Sequence, residues 1–373
     1  MKIGFDLVQS SVNSAGCGWY AQSLFQAMID QPGGHEFIAY RHFARWHKPA
    51  AALAPLPASP RVHDPLRDAT PDEVATEWTR ALASGRFPGR PDLVHSTSFQ
   101  APRVTGAPLV LTVFDLSFWA VPEFTTDRIR LDCQTGVLDA LENARGLIFI
   151  SEHSRREFGR FLPQFRRQKE IATVVTPLAS RWPVVAAPAE HAGDYWLFVG
   201  SQEPRKNLSG LLDGYEAYAQ HHPRPRPLWL AGGSGWKNES WQARLDQLEK
   251  RGWLRRLGYV PDEAMPELYR RAAALVAPSW YEGFGLPVLE AMSQGCPVIC
   301  SNQACLPETG GEAPLYIHPA RPMEITAAME RIEREPGRWK QLALHGLQQA
   351  AKFSWAGTAK QTLAFYGRIL SAV

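Results

Sequence analysis

The stretch PSWYEGFGLPVLEAMSQGCPVICSN, residues 278–302, sets two carboxylates, Glu282 and Glu290, on either side of a Gly-Phe-Gly-Leu-Pro turn. Pro287 suits the first turn of a helix, so the spacing predicts a helix over 287–294 with the amides of Phe284, Gly285 and Leu286 at its N-terminus. Such amides can hold a phosphate or sugar oxygen, and carboxylates are good acceptors for paired sugar hydroxyls. Helix chemistry offers a plainer account, because acid near a helix start complements the dipole.

A second stretch bears on the choice. GSQEPRKNL places Arg205 and Lys206 side by side at a predicted helix start. Two cations there face the positive end of the helix, a local cost. A diphosphate would reconcile it through charge-assisted bonds; a solvated charge pair is the alternative. Two glycine turns complete the set. In SAGCGWY, Gly16 and Gly18 would let backbone approach a ligand, although the turn is not the G-x-G-x-x-G of a dinucleotide fold. LAGGSGW, with Gly232, Gly233 and Gly235, reads as a plain turn that could also admit a nucleotide against the sheet.

These turns need strands to end on and helices to begin. Short apolar runs alternate with amphipathic ones throughout: KIGFDLV, DLVHSTS, PLVLTVFD, GLIFIS and IATVVT early, then YWLFVGS, PLWLAGG, RRLGYV, AALVAPS and PVICS. Helical periods fall between them at 17–29, 126–144 and 207–221. The pattern predicts α/β architecture with two doubly wound parallel sheets. The Pro- and Ala-rich segment 183–193 reads as a linker. The expected organisation is therefore residues 1–185, residues 186–352, and a terminal helical segment, 353–373, that packs back on the first domain. The Ala/Pro stretch at 49–60 reads as a loop.

Composition narrows the function classes. The chain has 373 residues and a formal charge of +3, which makes no case for nucleic acid as partner. Thirteen tryptophans suit a core, with some expected to line a cleft. No run approaches the ~20 apolar residues a membrane span requires, and the opening MKIGFDLVQ lacks the form of a signal peptide. Five cysteines suit a reducing compartment, so the cytoplasm is expected. Cys296, Cys300 and Cys305 match no zinc spacing and read as buried thiols. Arg155, Arg156, Arg160, Arg166, Arg167 and Lys169, interleaved with phenylalanines, read as a solvated helix face or as a peripheral contact with the inner membrane.

Taken together, S-x-Y-E-G-F-G-L-P-x-L-E-A-M-x-x-G-x-P-V-I, E-P-R-K-N-L, A-G-G-S-G-W and L-G-Y-V-P-D resemble the motifs of retaining, nucleotide-sugar-dependent glycosyltransferases of family four, in that family's order. The likeness extends along essentially the whole chain and is closest to bacterial mannosyltransferases of surface polysaccharide assembly. It implies a GT-B fold, two Rossmann-like domains facing a cleft, with acceptor in the first and donor in the second. By that resemblance Glu290 binds the ribose hydroxyls, and Glu282 with Gly283, Phe284, Gly285 and Leu286 holds the transferring sugar. Arg205 and Lys206 neutralise the diphosphate, Gly16 and Gly18 close over it, and Tyr259 lies near the base. Two departures stand out: Ala15 replaces a usual glycine, and Phe114 stands where a histidine is frequent, leaving Asp115 to contact sugar or acceptor. No cofactor and no metal are expected, since the sequence contains no Asp-x-Asp. The partners are then a nucleotide sugar, with GDP-mannose first, and a glycan or lipid-linked sugar acceptor. An epimerase or phosphorylase of the same fold, or a non-catalytic sugar-binding subunit, are the alternatives.

Overall fold

The computed structural model describes residues 1–12, 16–43, 55–168, 171–190, 193–237 and 239–372. Residues 49–54 of the expected Ala/Pro loop lie outside the described residues. The chain forms two compact units. The first comprises Met1–Ala120, Asp127–Leu178 and Ser354–Val373; the second comprises Val121–Thr126 and Ala179–Phe353.

Each unit is built on a parallel sheet. In the first, strands β1 (Lys2–Asp6), β2 (Glu36–Tyr40), β3 (Val62–His63), β4 (Leu93–Ser96), β5 (Leu109–Val113), β6 (Ala144–Phe149) and β7 (Ala172–Val175) lie in the order β3-β2-β1-β4-β5-β6-β7. In the second, β8 (Tyr195–Val199), β9 (Leu228–Ala231), β10 (Leu254–Gly258), β11 (Ala272–Ala277), β12 (Val298–Ser301) and β13 (Leu315–Ile317) lie in the order β10-β9-β8-β11-β12-β13. Both are the doubly wound pattern: growth runs outward from the first strand, then reverses and continues from its other side. Helices cover both faces, so the central strands are apolar on both sides; all five residues of LVLTV in β5 are buried.

The cores are separate. In the second unit Trp196, Leu230, Val276 and Ile299 from the sheet meet Leu211, Tyr215, Trp241 and Met329 from the helices. In the first, Leu111, Val113, Leu147 and Phe149 pack with Phe118, Val137 and Phe158. The last helix, Trp355–Ser371, belongs to the first unit. Tyr366 of this helix joins a buried polar chain: its hydroxyl lies 2.6 Å from His95 Nδ1, while His95 Nε2 lies 2.6 Å from Thr112 Oγ1, which lies 2.9 Å from the Tyr20 hydroxyl. Burial lowers the His95 pKa to about 3, which keeps the ring neutral.

The point where each strand order reverses matters for function, because open α/β sheets bind ligands there, outside the carboxyl ends of the strands. It falls between β1 and β4 in the first unit and between β8 and β11 in the second.

Candidate functional site

The loops leaving β8 and β11 carry the two motifs, and Asn207 joins them. It adopts the left-handed conformation at φ 58° and caps the helix Leu208–His221 through Oδ1. Its Nδ2 donates to the carbonyls of Pro278 (3.1 Å) and Pro319 (2.8 Å), and the Trp280 amide donates to the Arg205 carbonyl at 2.9 Å. The loop after β8 is therefore stitched to the loop after β11.

Glu282 lies within this seam, 8% exposed. Its Oε1 accepts from Lys206 Nζ at 2.6 Å and from Ser279 Oγ at 2.7 Å; its Oε2 accepts from Arg205 Nη1 at 3.0 Å. Burial pushes its pKa up, but Lys206 and then Arg205 outweigh burial and bring it down to about 2. The carboxylate is therefore ionised at neutral pH and acts as an acceptor rather than an acid. Arg205 is itself held on three sides, since it also donates to the Tyr281 carbonyl at 2.8 Å and to Glu203 at 2.6 Å. Two cations and two carboxylates thus balance within one pocket.

The helix Leu286–Ser293 starts immediately beyond. Gly285 sits at φ 83°, and a Cβ there would meet Leu306 Cδ2 at 2.5 Å, so the turn requires glycine. The first bonded amide of the helix is Val288, donating to Gly285 O at 2.9 Å. The amides of Phe284, Gly285 and Leu286 precede it at the helix start, where backbone donors have no intrahelical partner. Phe284 is buried, 5.8 Å from the Phe353 ring.

Glu290, on the same helix, is 1% exposed. Arg181 clasps it with Nε at 2.6 Å and Nη2 at 3.1 Å, while the Tyr269 hydroxyl donates to it at 3.0 Å. Arg181 also reaches Asp262 at 2.6 Å. Burial raises the Glu290 pKa, opposed by the bonds and charge of Arg181 and by Tyr269. Tyr259, in the loop after β10, is exposed at 62%.

The glycines of LAGGSGW have a packing reason. A Cβ on Gly232 would meet the Gly200 carbonyl at 2.1 Å, and one on Gly235 would meet the Gln202 carbonyl at 2.6 Å. They let the loop after β9 lie against the loop after β8. In the same unit, Trp236 Nε1 donates to the Phe124 carbonyl at 2.8 Å, and the rings of Phe124 and Trp280 stack at 6.3 Å.

Gly16, Gly18 and Asp115 are in the first unit. Gly16 is exposed and opens the helix Gly16–Ile29, and a Cβ there would meet nothing within 4 Å. Gly18 is buried; Ala15 lies outside the described residues. Asp115 accepts from the amide of Ser117, the first residue of the short helix Ser117–Ala120, at 2.9 Å. Phe114 is core, edge-on to Tyr20 at 5.1 Å and close to Phe99. A cavity of about 550 Å³ beside the Gly16–Ile29 helix is lined by Trp19, Trp355, Gln22, Ser23, Gln26 and Arg41, among others. A second, of about 560 Å³ and lined by Trp78, Leu82 and Leu131 among others, contains none of the motif residues.

Glu203, Ser279, Arg181, Asp262 and Tyr269 join the site without having been expected from sequence. Ser279 and Glu203 sit inside the quoted motifs, three and two residues from Glu282 and Arg205. Arg181 is isolated in sequence from its partner, 109 residues away, and carries no local signal.

Of the basic segment, Arg155 pairs with Glu152 and Arg160 with Glu157, each one helical turn away, and Phe158 is buried. The side chains of Arg166 and Arg167, and Lys169 entirely, lie outside the described residues. No helix among the described residues is long and apolar enough to cross a membrane. Cys296, Cys300 and Cys305 are buried, and burial pushes the Cys296 thiol up to about 12.

A family model described as glycosyl transferases group 1 matches residues 193–335, which contain Arg205, Lys206, Glu282 and Glu290. O-antigen chain mannosyltransferase B of Escherichia coli is 35% identical over 286 residues, 74% of either chain. Among solved structures, sucrose-phosphate synthase from Thermosynechococcus elongatus matches with a TM-score of 0.71 at 20% identity, over 100% of both chains. Anabaena HepE in complex with UDP-glucose matches at 0.69 and 16%, over 99% of this chain and 100% of that one. The structural neighbours are GT-B glycosyltransferases.

Proposed function

The chain belongs to the group 1 glycosyl transferases, is a glycosyltransferase of GT-B fold, and from that premise we propose that it moves mannose from GDP-mannose to a glycan or lipid-linked sugar, with retention and without a metal. The observation that carries the reading is the buried Glu282 carboxylate held by Arg205 and Lys206 where the order of the second sheet reverses. The mannosyl donor is taken from the Escherichia coli relative, an O-antigen chain mannosyltransferase.

Breaking the bond between an anomeric carbon and a diphosphate leaves growing negative charge on the phosphate oxygens. Fixed donors aimed at that charge stabilise the transition state. Lys206, Arg205 and the amides of Phe284, Gly285 and Leu286 are such donors. Without ligand, Glu282 takes both cations; a diphosphate competes for them, and the carboxylate then accepts from hydroxyls of the transferring sugar. Because its charge is committed to those bonds, Glu282 is a poor nucleophile. The acceptor hydroxyl attacks from the face the diphosphate leaves, and the departing phosphate oxygen takes its proton. Glu290 receives the ribose, and Tyr259 lies near the base. Metal independence is proposed because Lys206, Arg205 and the amides of Phe284, Gly285 and Leu286 can meet the diphosphate's charge themselves. Acceptor binding is assigned to the first unit, where two tryptophan rings and the amides of Gln22 and Gln26 line one cavity. Aromatic faces beside planar polar groups suit a sugar.

The test is a donor panel, GDP-mannose beside UDP-sugars, with mannose-terminated acceptors in the presence of a chelator. Transfer from GDP-mannose, undiminished by chelation, with the donor's anomeric configuration kept in the product by NMR, is the expected outcome. Inverted product, loss of activity under chelation, or transfer from UDP-sugars alone would each overturn the corresponding part of the reading.

A further inference from the structure

Glu290 cannot do its proposed work by itself. It is buried within the sheet-covering helix Leu286–Ser293, where an isolated carboxylate costs several kcal/mol or takes up a proton. A protonated carboxyl would offer a ribose one fewer acceptor and a competing donor. Arg181 removes that difficulty by geometry. Its fork meets both oxygens of Glu290 in a bidentate pair, and its remaining terminal nitrogen meets Asp262 in the loop before the helix Met265–Arg270. The guanidinium also lies 4.3 Å over the Trp182 ring, which limits its rotation. A carboxylate has about four acceptor directions. Arg181 and Tyr269 use three of them, two on Oε2 and one on Oε1.

We propose that Arg181 is the positioning residue for the nucleotide end of the donor: by clasping Glu290 and tying it to Asp262, it fixes the carboxylate so that its open direction, on Oε1, faces a ribose hydroxyl. The proposal rests on the assignment of Glu290 to the ribose. It deepens that assignment by naming what holds the carboxylate in place. Arg181 stands outside the segment matched by the family model, residues 193–335, while its partners stand inside it. The groups facing Glu290 are Arg181, Tyr269 and Asp262. Burial and the Glu290 charge keep Tyr269 neutral by raising its pKa well above the usual phenol value, and the nearby Cys296 thiol is pushed up to about 12. Among these groups Arg181 is the cation, and burial already biases Glu290 toward its protonated form. Removing Arg181 therefore takes away the cation that opposes burial and shifts Glu290 further toward its protonated form.

Calorimetry with GDP on the full chain tests this, using Arg181→Met, Arg181→Lys, Glu290→Gln and the double variant Arg181→Met/Glu290→Gln between pH 6.5 and 9. Thermal unfolding first selects the variants that remain folded. Arg181→Met is expected to bind at least tenfold more weakly at pH 7 and to regain affinity toward pH 9. Arg181→Lys keeps the charge but not the fork, so it should fall between the parent and Arg181→Met at pH 7 with a flat profile. The double variant should lose the alkaline recovery. If Arg181→Met binds as well as or better than the parent at pH 7, or shows the same pH profile as the double variant, the proposal is overturned. Should Arg181→Met fail to fold, Arg181→Lys decides the matter: a lysine variant that binds GDP as tightly as the parent contradicts the positioning role of the fork. The two assignments separate cleanly. Parent-like affinity in Glu290→Gln sinks the ribose reading, whereas weakened Glu290→Gln with parent-like Arg181→Met sinks only the role of Arg181.

Discussion

Glu282 and Glu290 are the same residue type eight positions apart, yet their surroundings drive them in opposite directions. Two cations beside Glu282 overcome burial and bring its pKa to about 2. One shared cation beside Glu290 does not, and its pKa is raised. The difference bears on what each carboxylate can do. In Glu282→Gln the amide keeps the shape, but its NH2 group points a donor at Lys206 or Arg205 and the charge is lost. Turnover is expected to fall by about two orders of magnitude or more, the scale of losing one electrostatic contact to a transition state. GDP affinity should not fall, because the carboxylate does not contact the nucleotide and its loss only releases Lys206 and Arg205 to the diphosphate. Single-turnover kinetics alongside calorimetry would show this, and normal turnover would remove Glu282 from the proposed mechanism. The pair Arg205 and Lys206 also divides. Arg205 is clasped by Glu203 and the Tyr281 carbonyl as well as by Glu282, so it shapes the loop in addition to carrying charge.

The turns are set by glycines whose reasons differ. Gly285 is required by its left-handed backbone and by Leu306; Gly232 by the Gly200 carbonyl; Gly16 by no neighbour within 4 Å. Sequence alone could not rank the three, because each is a glycine after a strand. The strands themselves are legible where they are apolar on both faces, as in PLVLTV and AALVAPS. Strands β2, β3 and β13 are not. Residues 62–63 and 315–317 are too short to carry a period, and HEFIAY mixes aromatic and polar residues without alternation. The terminal helix offers a test at this scale through the His95–Tyr366 contact. The folded pKa of His95, about 3, is depressed below its ordinary 6.5. Its neutral-ring contribution is therefore complete above pH 6.5 and is lost progressively as pH falls toward 3. From pH 6.5 to 4.5 that loss is about 2 to 3 kcal/mol. His95→Gln is expected to lower stability at pH 7.5 and to close part of that gap at pH 4.5, read from urea unfolding at both values. Parallel pH dependence in the two proteins would contradict the assignment.

At the scale of the whole molecule, two units with separate cores allow ligand effects to be read unit by unit. A nucleotide sugar at a hundred times its dissociation constant stabilises what it binds by about 2.7 kcal/mol. With GDP-mannose, hydrogen exchange should slow most in Gln202–Lys206 and Tyr281–Leu286 of the second unit. Slowing confined to the first unit would relocate the donor. The division into units is only partly legible in the sequence. The alternation of strand and helix implies two sheets, and the aromatic stripe of residues 353–373 points toward the first. Nothing in VPEFTT marks residues 121–126 as belonging to the second unit, because, beside the Phe124 ring on Trp280, their attachment runs through backbone carbonyls: those of Phe124, Glu123 and Thr125 accept from Trp236 and Lys237. Backbone acceptors are the same for every residue and leave no trace in side-chain pattern.

By itself the sequence determined the class of fold, the position of the motif turns at strand ends, and the proximity of residues a few places apart, since local period and turn chemistry act over short spans. Only the tertiary structure decided the partners. Arg205 and Lys206 meet a carboxylate 77 and 76 positions away, and Arg181 meets one 109 positions away. Strand order brings such pairs together, and the cations it sets beside each buried carboxylate decide the outcome: two hold Glu282 well below its ordinary pKa, while one shared guanidinium leaves that of Glu290 raised.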